Sequence, residues 1–195
     1  METNLSLQNT QNFVNNELEE HLKNTKSIYQ LIPKIYNLTN IIISTFKKGK
    51  KLLVCGNGGS AADAQHFSSE LIGRYEKERS SFPAIALTTD SSAITSISND
   101  FGFDNIFSRQ IEGLGEPGDI LIVISTSGNS KNLIKAIETA KKKNIQCAAL
   151  LGNKGGLISE MVDLKIIISS KRTCRIQEMH GLIIHMICGL IESSK

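Results

Sequence analysis

Beyond Lys51 the chain alternates short, continuous apolar runs with segments of helical periodicity. The runs are Leu52–Cys55, Ala84–Leu87, Ile120–Ile124, Ala148–Leu151 and Leu164–Ile168. They do not alternate polar with apolar, and several are β-branched, which predicts parallel strands covered on both faces. The segments near Ser60–Lys77, Ser92–Gly113 and Asn129–Lys143 are long enough for crossover helices, and a last helix from roughly Cys174 to Glu192 closes the chain. Before Lys51 the pattern is different. From about Leu7 to Lys48 two helical stretches interleave polar and apolar residues, break near Pro33 and end in the basic run Lys47-Lys48-Gly49-Lys50-Lys51. They hold too few apolar residues for a core of their own, so they are expected to pack on the rest of the domain or on another subunit. The predicted class is α/β: a doubly wound, five-stranded parallel sheet over residues 51–195 with a helical extension over 1–50, one structural domain overall.

Composition narrows the function classes. A chain of 195 residues with 40% apolar and 21% charged residues fits a soluble globular protein with a real core. A net charge of +3 is too small to imply a nucleic-acid partner. No apolar run approaches the ~18–20 residues that span a bilayer, and the N-terminus is polar and acidic without a signal-peptide pattern. Cys55, Cys147, Cys174 and Cys188 form no CxxC pair, and three of them lie in apolar contexts. Reduced thiols in a cytoplasmic protein are the expectation.

Candidate chemistry starts where the first strand meets its helix, in Gly56-Asn57-Gly58-Gly59-Ser60. A glycine-rich turn opening a helix offers backbone N–H groups and the positive end of the helix dipole to an anion. The same helix carries His66 and Glu70 at i and i+4, so an imidazole and a carboxylate share a face. After the third strand, Ser125-Thr126-Ser127-Gly128-Asn129-Ser130 places four hydroxyls just before another helix. One such residue suffices to cap a helix; the surplus suits a phosphate ester. Asn99-Asp100 offers an amide and a carboxylate to sugar hydroxyls, although such a pair alone is usually a turn.

On the last helix Gln177, Gly181 and His185 form one slowly drifting stripe, and the glycine leaves a notch between the polar ends. His180 is expected to be a satisfied core histidine and His185 a functional one. If the two helices meet, His66, Glu70, Gln177 and His185 supply N, O, O and N to a zinc-like ion.

These residues carry a family resemblance. The segments GNGGSAADAQHFSSEL (56–71), SNDFGFDNIFSRQ (98–110), ISTSGNSKN (124–132) and RIQEMHGLIIH (175–185) are similar to the sugar isomerase (SIS) domain family, and within it to the phosphoheptose isomerase family, over nearly the whole chain. The resemblance implies a flavodoxin-like SIS fold and a cytoplasmic homotetramer. It implies isomerisation of sedoheptulose 7-phosphate to D-glycero-D-manno-heptose 7-phosphate, the first step towards activated heptose for lipopolysaccharide or capsule. It further implies one zinc per subunit on His66, Glu70, Gln177 and His185, catalysis by Glu70 and His185, and substrate contacts from Asn57 to Ser60, Glu70, Asn99, Asp100, Ser125 to Ser127, Ser130 and Gln177. Two other classes compete. Gly56-x-Gly58-x-x-Ala61 satisfies a loose dinucleotide fingerprint, but its acidic partner is too far off at Asp90. Some SIS relatives are non-catalytic tetramers that bind the replication initiator DnaA; the presence of both Glu70 and His185 favours the enzyme.

Overall fold

The structure, a computed structural model, describes residues 6–194; Lys195 and the first five residues of the polar N-terminus lie outside it. Five strands form the expected parallel sheet: β1 (Leu52–Gly56), β2 (Ala84–Ala86), β3 (Ile120–Ser125), β4 (Gln146–Gly152) and β5 (Leu164–Ile168). Their order is β2-β1-β3-β4-β5, with Val54 opposite Ile122 and Ile122 opposite Ala148. Every residue of β1 and β3 is buried, as the continuous apolar runs require. The order reverses between β1 and β3, so connections leave these two strands to opposite faces. A crevice opens beyond their carboxyl ends, where open α/β sheets bind ligands.

Helices cover both faces. On one, α2 (Ile32–Lys47), α3 (Gly59–Ile72) and α7 (Thr173–Ser193) bury Ile35, Leu38, Ile42, Phe67, Leu71, Ile176, Ile183 and Ile187 in a single cluster with the sheet. On the other, α5 (Ser108–Leu114) and α6 (Lys131–Lys142) bury Ile111, Leu133, Ala136 and Ile137. Burial on this scale, at roughly 1.5–3 kcal/mol for each large apolar side chain, supplies the main drive to fold.

The N-terminal break falls where expected. A helix α1 (Leu7–Ser27) passes through a short 3-10 turn into α2, whose first turn contains Pro33. Whereas α2 joins the core, α1 has no buried residue. Ion pairs and a hydrogen bond hold it to the start of α7 and its N-cap Arg172: Glu17 with Arg172 at 2.8 Å, Glu20 with Arg172, Glu17 with Arg175 at 3.3 Å, and His21 Nδ1 against Glu178 Oε2 at 2.8 Å. Leu7, Phe13, Val14, Leu18 and Leu22 remain exposed along it.

Two expected helices need correction. The segment 92–113 is not one helix: α4 (Ser91–Phe101) stops at Gly102, whose φ of +85° lies in the left-handed region, and a short 3-10 turn (Phe103–Asn105) precedes α5. The segment near 60–77 ends early as well, since α3 stops at Ile72 and Gly73 through Pro83 form a loop. Among the described residues no helix is long and apolar enough to cross a membrane.

Candidate active site

At the end of β1 the chain turns through Gly58, whose φ of +55° favours glycine, and enters α3 without a side-chain cap. From β3 the serine loop runs alongside. Ser125 Oγ accepts the Gly128 N–H at 3.0 Å, and Ser127 Oγ accepts the Asn129 N–H at 3.3 Å, so both hydroxyls keep a proton to donate. Ser130 holds the N-cap position of α6, yet its hydroxyl makes no capping bond. The Leu133 N–H goes instead to Asn132 Oδ1 and to the Ser130 carbonyl. A serine placed as a cap but unused as one has its hydroxyl free for a ligand. The two loops are tied by a reciprocal amide pair, Asn57 Nδ2 to Asn132 Oδ1 at 3.0 Å and Asn132 Nδ2 to Asn57 Oδ1 at 2.9 Å. Together they enclose a cavity of about 320 Å³ lined by Asn57 to Ser60, Ile124 to Ser127, Ser130, Thr173 and Gln177. That volume is in the range of small-ligand sites.

Helices α3 and α7 pack side by side in the same direction. At their N-terminal ends Gln177 lies so close to Gly59 that an added Cβ there would meet its Nε2 at 2.2 Å. Seven residues further along α3, about 10 Å along the axis, lies the second group of polar side chains. His66 Nε2 is 3.1 Å from Glu70 Oε1 and 3.1 Å from His185 Nε2, with the two imidazoles edge to face. All three side chains are half-buried. Between them, on α7, the position of a Gly181 side chain meets nothing within 4 Å, so the predicted notch is open.

The group suits a metal by its own geometry. One ligand atom from each of His66, Glu70 and His185 falls within 4.8 Å of the others. Ligands about 2.0–2.1 Å from a tetrahedral ion sit near 3.3 Å from one another, close to the separations found, and two imidazoles with a carboxylate are a donor set that zinc accepts.

Asn99 and Asp100 are not brought to this cavity within the chain. They are exposed at the end of α4, with Asn99 Nδ2 donating to Asp100 Oδ1 at 2.8 Å. His180 is a core residue, as expected, but only half satisfied: its Nε2–H donates to the Leu151 carbonyl at 3.1 Å while Nδ1 is buried without a partner, and burial pulls its pKa down to about 4 against the raising effect of that bond. Cys55, Cys147 and Cys188 are buried and Cys174 is exposed; all four are free. Asp90 caps α4 by accepting the Ala93 N–H, which occupies the acidic group that a dinucleotide ribose would need.

Four residues near the site escaped the sequence reading. Asn132 lies inside a recognised motif and Thr173 at the first position of α7, but nothing local marks the one as the partner of Asn57 or the other as lining the cavity. Tyr75 lies with its ring centroid 5.5 Å from that of His185. Asp63, one turn before His66, has a buried Oδ2 without a hydrogen-bond partner, and burial raises its pKa to about 6 despite the nearby imidazole. Its i, i+3 spacing to His66 was the available signal.

The SIS domain family model matches residues 16–152. The chain is 50% identical over 181 residues to a phosphoheptose isomerase of Campylobacter concisus, covering 93% of this chain and 96% of that one. Two solved structures superpose closely: a phosphoheptose isomerase of Neisseria gonorrhoeae (TM-score 0.90, 40% identity, 94% of this chain and 99% of that one) and one of Francisella tularensis (TM-score 0.91, 37% identity, 94% and 98%).

Proposed function

The chain belongs to the SIS-domain family, and from its likeness to phosphoheptose isomerases over almost its whole length we propose that it is an aldose–ketose isomerase converting sedoheptulose 7-phosphate to D-glycero-D-manno-heptose 7-phosphate. This is the first step of activated-heptose biosynthesis for lipopolysaccharide or capsule. One observation carries the reading: Glu70 and His185 come together from two helices whose N-terminal ends line a hydroxyl-rich cavity. The DnaA-binding alternative has no support among the relatives named above, which are all phosphoheptose isomerases.

Ser127 and Ser130, with the amides of the serine loop and of the glycine turn, hold the phosphate. Asn57 to Ser60, Ser125, Thr126 and Gln177 orient the sugar chain. The reaction moves one proton from C1 to C2 and another between the two oxygens, through a cis-enediol, and needs no oxidant. Glu70 as carboxylate takes the carbon proton and returns it at C2, and His185 moves the oxygen proton; positioned acid–base groups of this kind contribute ~10²–10⁴-fold each. We assign one zinc ion per subunit to His66, Glu70 and His185; Gln177, whose amide lies against Gly59 in this structure, would complete the set as fourth ligand only by turning along α7 towards them. When bound, the ion supplies Lewis acidity to the sugar oxygens.

The exposed apolar residues of α1 suit burial against other copies of the chain in a homotetramer. In that assembly the exposed Asn99 and Asp100 are available to a neighbouring subunit's cavity. The cytoplasm, which keeps the four free cysteines reduced, is the expected compartment.

Incubation with sedoheptulose 7-phosphate and identification of the product by NMR tests substrate and reaction together. The heptose 7-phosphate is expected from the wild-type chain and not from Glu70→Gln. No conversion by the metal-loaded wild type overturns the reading.

A further inference from the structure

Beyond the triad, α7 ends in a carboxylate that is oddly placed. Glu192 lies in the last turn, where the helix dipole disfavours negative charge, and its side chain is only 2% exposed. It is held there by four donors. Oε1 accepts the Tyr75 N–H at 2.8 Å and Arg79 Nε–H at 3.0 Å, while Oε2 accepts the N–H groups of Glu76 at 3.0 Å and Lys77 at 2.9 Å. Burial raises its pKa, and these bonds overcome that and hold it at about 2.

Arg79 faces the other way. Its Nη1 donates to the carbonyls of Leu71 at 2.9 Å and Ser80 at 3.1 Å, and its Nη2 to that of Glu70 at 2.7 Å. The Glu70 and Leu71 carbonyls belong to the last turn of α3, beyond the reach of its own N–H groups, and Leu71 also accepts the Phe82 N–H at 3.0 Å; a cation is the complement expected there. The guanidinium also stacks over Phe82 at 4.5 Å. One buried ion pair therefore joins the C-terminal ends of the two helices that carry Glu70 and His185. It also pins the intervening loop so that Tyr75 lies against His185. Gly189, one turn beyond His185, leaves the room: a Cβ there would come within 3.3 Å of Tyr75 Cε1.

We propose that Glu192 and Arg79 are positioning residues of the isomerase, setting the separation of Glu70 from His185 and seating the Tyr75 ring against the His185 imidazole. Glu192 stands seven residues after His185 on the same face of α7, so a shift at the clamp is transmitted along one rigid element. The phosphate-binding end of the site, at the opposite end of both helices, is untouched.

The proposal rests on the isomerase reading for its kinetic arm only. Glu192→Gln removes the charge and half of the acceptor capacity at nearly constant size. It should lower kcat by ~10–100-fold and weaken zinc binding, measured by chelator competition, by a similar factor, the usual range for groups that orient a metal's ligands. KM should stay within about twofold because the phosphate loop is unchanged. Arg79→Lys, which keeps the charge but not the fork, should act in the same direction, and Glu192→Asp should restore part of the loss. The chain has three tyrosines and no tryptophan, so fluorotyrosine-labelled protein gives a readout free of activity. The Tyr75 fluorine signal, identified with Tyr75→Phe, should move towards that of a solvent-exposed ring in Glu192→Gln. An unmoved signal with kcat and zinc affinity within twofold of wild type overturns the proposal. Equal losses in kcat, phosphate binding and melting temperature for both variants also overturn it, since they mark a merely structural pair. If the wild type does not isomerise the heptulose, the function fails separately, and the fluorine signal and zinc affinity still decide on the clamp.

Discussion

The Nε2 atoms of His66 and His185 lie 3.1 Å apart although the residues are 119 positions apart in sequence. Two imidazole nitrogens can share that distance as donor and acceptor, or both can turn lone pairs on one cation. Protein purified without chelator is expected to hold about one zinc per chain, and His66→Ala or His185→Ala to hold far less. Elemental analysis measures it. Full activity in metal-free protein would remove the ion from the chemistry.

Ser130 separates ligand binding from helix capping. Its hydroxyl makes no cap, so Ser130→Ala should leave unfolding free energy within ~0.5 kcal/mol of wild type, where loss of a working cap costs ~1 kcal/mol. Binding of the sugar phosphate should weaken by ~1.5–3 kcal/mol, the value of a hydrogen bond to a charged group, and binding of the unphosphorylated sugar much less. Calorimetry on both ligands reads the difference. Equal weakening of the two would assign the loop a structural role.

Glu70 as carbon base predicts exchange with solvent. Prolonged turnover in D₂O should place deuterium at C2 of the heptose, detectable by NMR, because even a shielded base trades its proton occasionally. Glu70→Gln should stop turnover and exchange together. Its zinc content must be measured in parallel, since the same carboxylate is a proposed ligand. Product free of carbon-bound deuterium after many cycles points to a hydride shift instead.

His180 makes stability depend on pH. Burial holds its pKa at about 4 in the folded chain, below the ordinary value of 6.5. Between those values the unfolded chain binds more protons, so stability rises with pH across that window and falls on acidification. The contribution is up to about 3 kcal/mol, and is fully present above pH ~6.5. Denaturant titrations at several pH values should give a steeper acid limb for wild type than for His180→Gln, which cannot protonate. Identical limbs would mean that His180 is not the group responsible.

Much of this was legible from residue patterns, for reasons that can be stated. The strands announced themselves because parallel β1 and β3, covered on both faces, are continuously apolar from Leu52 to Cys55 and from Ile120 to Ile124. The glycine turn and serine loop were readable because a β-strand that runs into a helix has few ways to bind an anion. Pattern fails where one residue decides geometry. Gly102 splits the segment 92–113, since a single left-handed residue ends a helix whose periodicity otherwise continues. The meeting of His66 with His185 was not visible either, because it depends on α3 and α7 lying parallel, a tertiary fact. Asn99 and Asp100 show the opposite limit: their chemistry was plain, but the direction in which the α4 end faces was not.

The offset of about 10 Å between Gly59 and His66 along α3 makes the site a gauge of chain length. With the phosphate held among the serines as proposed, one end of the substrate is fixed, and only a sugar long enough to span the interval would bring its carbonyl to Glu70 and His185. Shorter ketose phosphates, equal in charge and carrying the same ketone and phosphate but one CHOH unit fewer, would occupy the anchor and fall short of the acid–base pair. They should behave as competitors rather than as substrates. Discrimination of this kind comes from rigid spacing along a helix and requires no contact that recognises the missing carbon.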